Sequence, residues 1–157
     1  MHSQRRHHPA SGSYVLVMEL AREQDISVGR RSLHFPRGYY AYVGSGMGGV
    51  KARVNRHLRP DKRVHWHIDY LLQRASLSDV IIGESTERTE CVIACALGSQ
   101  FDAIPGFGSS DCRCPSHLFF ATEDMRPKIR AVLSALGMRP RRWKGTRVNQ
   151  KAEAISH

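Results

Sequence analysis

The chain of 157 residues lacks any apolar run that approaches the ~18–20 residues a helix needs to cross a bilayer. Its first residues, MHSQRRHHPASGS, lack the apolar segment of a signal peptide. No stretch combines Trp, Phe and Leu into an amphipathic membrane anchor. We therefore expect no export, no membrane partner and a cytoplasmic location.

Acidic residues are also scarce. The chain has 14 Asp and Glu and 24 Lys and Arg, which gives a formal net charge of +10. Arginine is much more frequent than lysine, and its flat guanidinium matches the oxygen atoms of a phosphate. A small protein this basic most often binds nucleic acid, since neutralising phosphates releases counterions. An anionic membrane surface and an acidic protein partner are the alternatives, and the oligomeric state stays open.

Cysteine is limited to Cys91, Cys95, Cys112 and Cys114. A cytosolic setting keeps thiols reduced, so disulfides are not the first expectation. The spacings C-x3-C and C-x-C allow a tetrahedral zinc site but differ from the common C-x2-C pairs. Structural Zn²⁺ is therefore an alternative that we do not favour, and Cys91 and Cys95 also suit one face of a buried helix.

Hydrophobic residues make up 41% of the chain, enough for the core of one α+β domain. Runs rich in Val, Leu, Ile and Tyr predict strands at 12–20, 26–35 with a break at Gly29, 39–44, 76–85 and 117–122. Apolar residues at helical spacing predict helices from 50 to Pro60, at 64–75, at 86–101 and at 125–137. The early strands and tight turns favour an antiparallel sheet.

The segment GSYVL at 12–16, followed by YYAYVGSG at 39–46 and a helix that carries Arg53, resembles the GIY-YIG nuclease domain. The later strings RHLR, HWHIDYLL and GFGSSDC with SHLFF resemble the Uri-type endonuclease branch of that superfamily. The resemblance implies a small central three-stranded antiparallel sheet flanked by helices, with an additional strand–helix extension. We assign residues 1–11 to a disordered basic leader, 12–138 to a GIY-YIG-like nuclease domain and 139–157 to a basic, partly disordered tail.

This resemblance implies a metal-dependent endonuclease that hydrolyses phosphodiester bonds, and we favour DNA over RNA as its substrate. Carried over by position, Tyr14 and Tyr42 face each other on adjacent strands. Arg53 holds the scissile phosphate, and Glu90 binds one Mg²⁺ or Mn²⁺. His57 follows Arg53 by one helical turn and so lies on the same face. Further substrate contacts are assigned to Gly44, Ser45, Arg56, Ser110 and His117.

The hypothesis for water activation is that Tyr14 acts as general base or proton relay, assisted by His57. A tyrosine has a reference pKa of ~10, so it needs a stabilised phenolate or a partner that accepts its proton. Two positions depart from the family pattern. Ser13 stands where the first half-motif has an apolar residue, and the late asparagine has no clear counterpart, with Ser109, Ser110 or His117 as candidates.

Several motifs keep a second interpretation. The glycines at 44–49 open a helix and favour an anion, but they lack the Lys-Ser/Thr ending of a P-loop. His65, His67 and Asp69 suit a core better than a metal or phosphate site, and the role of Asp111 stays open. The rival functions are a nucleic-acid-binding module without catalysis and a zinc-stabilised interaction domain.

Overall fold

The computed structural model describes residues 11–46, 49–59, 67–107, 114 and 116–143. This part of the chain forms an α+β fold. Its helices are α1 (Val50–Leu58), α2 (His67–Leu72), α3 (Glu90–Gly98) and α4 (Arg126–Ala135). Its strands are β1 (Gly12–Leu20), β2 (Gln24–Val28), β3 (Arg31–Phe35), β4 (Gly38–Ser45), β5 (Ser76–Glu84), β6 (Asp102–Ala103), β7 (Leu118–Ala121) and β8 (Pro140–Arg142).

One antiparallel sheet of six strands forms the centre of the fold, in the order β6-β7-β4-β1-β5-β8. β1 lies between β4 and β5 and is buried along nearly its whole length. Its sequence GSYVLVMEL is almost continuously apolar, as expected for a strand that is covered on both faces. The expected central antiparallel sheet is therefore present, and it is wider than the three strands that the resemblance implies.

The segment predicted as one strand with a break at Gly29 is instead a separate hairpin of β2 and β3. Gly29 has a φ of 63°, a left-handed conformation that glycine adopts without steric cost, and it turns the chain back on itself. Val28 consequently pairs with Arg31 across the turn. The sequence located the turn correctly but not the fact that both arms pair with each other.

Two layers of helices cover the sheet. Alternate β1 residues such as Leu16 point to the layer of α1 and α2, and those between them, such as Val17, point to α3 and α4. The hairpin packs on the first layer, where Ile26, Val28 and Phe35 join the core. The sheet is thus buried on both faces, and polar side chains gather at one end of its central strands.

The ends of the elements follow local chemistry. α1 ends at Leu58, and Arg59 is already extended with a ψ of 126°, as a residue before proline prefers. The structure describes the second predicted helix only from His67, because 64–66 lie outside the described residues. β8 lies within the segment assigned to the tail and pairs with β5 through Ile81, Ile82 and Gly83. No helix in the described ranges is long and apolar enough to span a membrane.

Candidate functional site

Tyr14 and Tyr42 lie on the same face of the two neighbouring strands β1 and β4. Tyr14 is opposite Gly44, and Tyr42 is opposite Leu16, so the two tyrosines are diagonal neighbours two positions apart in register. Both belong to the core cluster under α1. Such diagonal neighbours on antiparallel strands are within reach of aromatic side chains.

Gly44 makes room for the ring of Tyr14. A Cβ added at Gly44 would lie 2.3 Å from Cζ of Tyr14 and 2.4 Å from its hydroxyl oxygen. Only a residue without a side chain therefore allows the phenol to lie flat across β4. Gly44, which we assigned to substrate binding, also has a packing role at this position.

His57 brings an imidazole from α1 to the buried phenol. Its Nε2 and the Tyr14 hydroxyl form a hydrogen bond of 2.8 Å, and both side chains are buried. The His57 ring also lies beside Tyr42, with 6.4 Å between the ring centroids. A single helical turn thus places one histidine against both tyrosines.

Burial dominates the acid–base properties of the two phenols. It raises the pKa of Tyr14 far above its ordinary value, and the neighbouring Tyr42 adds to the effect. Arg53 acts in the opposite direction through its charge and a hydrogen bond, but it offsets only part of the shift. Burial likewise raises the pKa of Tyr42 to about 12. The phenolate form that Tyr14 would need as a simple base is therefore disfavoured.

Glu90 opens α3 and faces the same group of side chains. Its negative charge raises the pKa of both Tyr14 and Tyr42, which places the carboxylate near both phenols. Its Oε2 is 2.8 Å from Nδ1 of His117. The Glu90 side chain is 28% exposed, whereas that of His117 is 2% exposed, so the carboxylate is the member of the pair that solvent reaches.

Ser13 and Thr89 attach the start of α3 to the central strand. Their hydroxyl oxygens are 2.8 Å apart, and Ser13 is buried. Thr89 is the residue immediately before Glu90 and precedes the helix without capping it through its side chain. The polar residue that interrupts the first half-motif therefore has a structural reason, because an apolar side chain at 13 would lose this bond.

Arg56, which we assigned to substrate binding, pairs with a buried carboxylate. Its guanidinium makes two hydrogen bonds to Asp69 of α2, of 3.2 and 3.0 Å. Asp69 is completely buried, and its charge also raises the pKa of Tyr42. This bidentate pair joins α1 to α2 and gives Asp69 the core role that we preferred for it.

The structure describes only some of the remaining predicted residues. Ser45 ends β4 opposite Ser13, near the other site residues along the chain. The predicted positions that lie outside the described residues are His65, Ser109, Ser110, Asp111 and Cys112. The expected core position of His67 is wrong, because it begins α2 and is exposed, with its ring 6.0 Å from that of Phe107.

A cluster of thiols lies beside Glu90, at a place where the sequence supports zinc binding only as an alternative that we do not favour. Cys91, Cys114 and His117 bring one ligand atom each to within 4.8 Å of one another. Cysteine and histidine ligands suit Zn²⁺ rather than Mg²⁺, which prefers oxygen. The cysteine spacing was a signal for such a site, but only the fold brings His117 to it.

Together these elements define an α+β protein with a polar site at one end of a central antiparallel sheet. Tyrosine and histidine side chains of β1, β4 and α1 are in contact there, and the charges of Arg53 on α1 and Glu90 on α3 act on the phenols. The chain belongs to the family described as Domain of unknown function DUF123, whose pattern it matches over residues 13–138. No curated protein and no solved structure matches the chain.

Proposed function

We propose that this protein is a GIY-YIG-type endonuclease, close to the Uri-type branch, that hydrolyses phosphodiester bonds in DNA with one divalent ion. Two features support the proposal independently. The first is the sequence resemblance of 12–16, 39–46 and the helix that carries Arg53. The second is that residues far apart in the chain, which this resemblance assigns to catalysis, lie around the same two phenols.

The observation that carries the proposal is the buried hydrogen bond of 2.8 Å between Tyr14 and His57. Opposite charges from Arg53 and Glu90 act on the same phenol. A purely structural tyrosine needs one partner for its hydroxyl group, and a backbone carbonyl is sufficient, as for Tyr40 with Pro36. Tyr14 instead has a titratable partner with a cation and an anion beside it.

Arg53 supplies the positive charge for the phosphate. It is exposed on α1, and yet it hydrogen-bonds the buried Tyr14. A guanidinium in this position binds phosphate oxygens through two parallel hydrogen bonds and stabilises the charge that grows in the transition state. The net charge of +10 favours the approach of a polyanionic substrate.

The proton of the attacking water moves through Tyr14 to His57. Because burial keeps the phenol neutral, Tyr14 does not act as a preformed phenolate base. As the water gives its proton to the Tyr14 oxygen, the phenol donates its own proton to Nε2 of His57 along their hydrogen bond. His57 is thus the final base, and Tyr14 relays the proton.

Glu90 is the residue that would hold the Mg²⁺ or Mn²⁺ ion. It offers a hard carboxylate oxygen and is partly exposed, which fits an ion that keeps several waters and uses one or two carboxylates. The ion supplies charge stabilisation to the phosphate and to the leaving oxygen. The hydrogen bond from His117 holds the carboxylate in one orientation.

A cleavage assay tests this function. The purified protein is incubated with single-stranded, duplex and branched DNA and with RNA, with Mg²⁺ or Mn²⁺ present. We expect metal-dependent cleavage of DNA, which falls about 10²–10³-fold in Arg53→Ala and Tyr14→Phe. Glu90→Gln should abolish the dependence on added metal together with the activity.

Matched controls lie on the same elements. Lys51→Ala removes an exposed cation from α1, Tyr39→Phe removes a phenol oxygen from β4, and Glu87→Gln removes an exposed carboxylate just before α3. All three should cleave at the rate of the unaltered protein. If every nucleic acid binds tightly and none is cut with either ion, the protein is a binding module and the proposal is wrong.

A further inference from the structure

We propose that Cys91, Cys95, Cys114 and His117 form a structural zinc site next to the candidate active site. This inference is independent of the nuclease proposal, since it depends on a different set of ligand atoms. The residues come from two parts of the chain, α3 and the segment that leads into β7.

The first argument is the convergence of three ligand atoms. The sulfurs of Cys91 and Cys114 and a ring nitrogen of His117 all lie within 4.8 Å of one another. Two ligands of a tetrahedral zinc ion with Zn–S bonds of about 2.3 Å lie about 3.8 Å apart, so the three atoms need only small movements to bind one ion. Cys114 and His117 are buried, which shields the site from exchange with solvent.

Cys95 offers the fourth ligand, although it is exposed and its sulfur lies outside the group of three that already converge. It follows Cys91 by one helical turn, so both sulfurs project from the same side of α3. Its Sγ is 3.5 Å from Sγ of Cys114, close to the spacing of two thiolates on one zinc ion. This sulfur–sulfur distance is far longer than the S–S bond of about 2.05 Å in a disulfide. Cys95 meets the cluster through Cys114, and we assign it the fourth position.

His117 also has the outer partner that zinc-binding histidines usually have. Its Nδ1 is 2.8 Å from Oε2 of Glu90. A carboxylate that accepts a hydrogen bond from one ring nitrogen fixes the tautomer of the histidine and makes the other nitrogen a better ligand. The proposed zinc ion and Glu90 would then lie on either side of one imidazole.

The chemical class of the ligand set selects the metal. Thiolates and imidazole bind Zn²⁺ much better than Mg²⁺ or Mn²⁺, and a closed set of four protein ligands is typical of structural zinc. Binding requires deprotonated thiols, so zinc uptake releases protons. The ion would join the first two turns of α3 to the segment before β7.

Metal analysis and cobalt substitution test the proposal without any activity assay. Protein prepared under reducing conditions, with zinc in the medium, is dialysed and its metal content is measured. We expect one zinc per chain. After removal of the metal, titration with Co²⁺ should give the strong visible bands of a tetrahedral site and a near-ultraviolet band from sulfur ligands. Substoichiometric zinc, or cobalt spectra without sulfur bands, would overturn the proposal.

Variants assign the ligands. Cys91→Ser and Cys114→Ser should lose the stoichiometric zinc, and Cys95→Ser should bind it more weakly. Circular dichroism of the metal-free forms shows whether each variant folds, and His34→Ala is the control for loss of an exposed histidine. Zinc retained in a folded Cys91→Ser or Cys114→Ser protein contradicts the assignment.

Glu90→Gln separates the two proposals. As an outer partner of His117, the carboxylate should strengthen zinc binding about 10–100-fold, so the variant needs correspondingly more free zinc for saturation. At saturating zinc its cobalt and zinc stoichiometry should be normal while DNA cleavage is lost. An unaltered zinc affinity in this variant would overturn the role of Glu90 in the zinc site, whatever its effect on cleavage.

Discussion

Two histidine–carboxylate pairs in this protein have the same length and opposite surroundings. His117 and Glu90 are 2.8 Å apart at the end of the central strands, and His34 and Asp25 are 2.8 Å apart on the hairpin. The side chain of His117 is 2% exposed, whereas that of His34 is 55% exposed and also contacts Glu23. Water screens the hairpin pair on both sides, whereas it reaches the His117–Glu90 pair only through the partly exposed carboxylate.

The difference teaches that distance alone does not give a polar pair a role. The hairpin pair connects the exposed sides of two strands that already pair through their backbones. The buried pair connects the start of α3 with the segment before β7, and its histidine also donates its backbone N–H to the Phe107 carbonyl. Only the buried pair therefore fixes the position of other side chains, those at the start of α3 and in the segment before β7.

The largest expected difference between the two pairs is in stability, when each histidine is replaced by alanine. In metal-free protein, His117→Ala should lower the free energy of unfolding by about 2–4 kcal/mol, since it empties a buried site and leaves Glu90 without this bond. His34→Ala should leave the denaturation midpoint unchanged. Chemical denaturation followed by circular dichroism measures both, and equal effects of the two substitutions would remove the distinction between the pairs.

A smaller effect is expected at Gly44, which lies under the phenol beside the buried pair. Gly44→Ala should destabilise the fold by about 1–3 kcal/mol, because its methyl group takes the place of the Tyr14 ring. The Tyr14–His57 hydrogen bond would break with it. Denaturation curves measure the change in stability, and absorbance of the tyrosines reports the movement of the ring.

Gly98→Ala is the matched control for this experiment. A Cβ at Gly98 meets Phe119 Cε1 at 3.6 Å, an ordinary contact, and the residue ends a helix. This substitution should be neutral or should stabilise the protein by up to about 1 kcal/mol. A Gly44→Ala protein as stable as the control would mean that the Tyr14 ring does not need its place over β4.

The Ser13–Thr89 hydrogen bond should contribute less to the free energy of unfolding than the packing at Gly44 does. A double-mutant cycle of Ser13→Ala and Thr89→Ala should give a coupling energy of about 0.5–1.5 kcal/mol, as for a neutral hydrogen bond between part-buried groups. The same variants should slow DNA cleavage if this bond sets the position of Glu90. Strictly additive effects on stability would show that the two hydroxyls do not interact in solution.

The smallest effect is the pH response of the hairpin pair. The hydrogen bond to Asp25 is the main cause that raises the pKa of His34 above its ordinary value. Its contribution to stability is fully present below the unfolded-state pKa of ~6.5 and is lost as the pH rises through the higher folded-state pKa. An NMR titration should show the raised value, and Asp25→Asn should lower it. An unchanged pKa in that variant contradicts the pairing.

The sequence predicted most of the elements because their periodicity is local. The apolar run of β1, the turn at Gly29 and the helix before Pro60 all depend on neighbours within a few residues. It did not predict how the arms of the hairpin pair, because one strand with a break and two paired strands have the same composition. The width of the sheet was missed for a similar reason, since β6 and β8 are too short to carry a pattern.

The candidate site was predicted by residue type better than by environment. The resemblance assigned Tyr14 and Glu90, and helical spacing from Arg53 added His57, but neither indicated the burial that keeps the phenol neutral. The sequence assigned Arg56 to substrate as a cation beside the apolar face of its helix, but it did not show the pair with Asp69, which lies on another element. The thiol cluster needs His117, 26 residues after Cys91, and only the fold shows that they meet.

The two borders of the sheet have a consequence for the behaviour of the protein at high concentration. One edge strand, β6, is only two residues long. The other edge strand, β8, consists of a proline followed by two exposed arginines. Short, proline-containing or charged borders are poor templates for recruiting a strand from another molecule. We therefore expect that the edges of this sheet do not pair with the edges of other molecules to form fibrils.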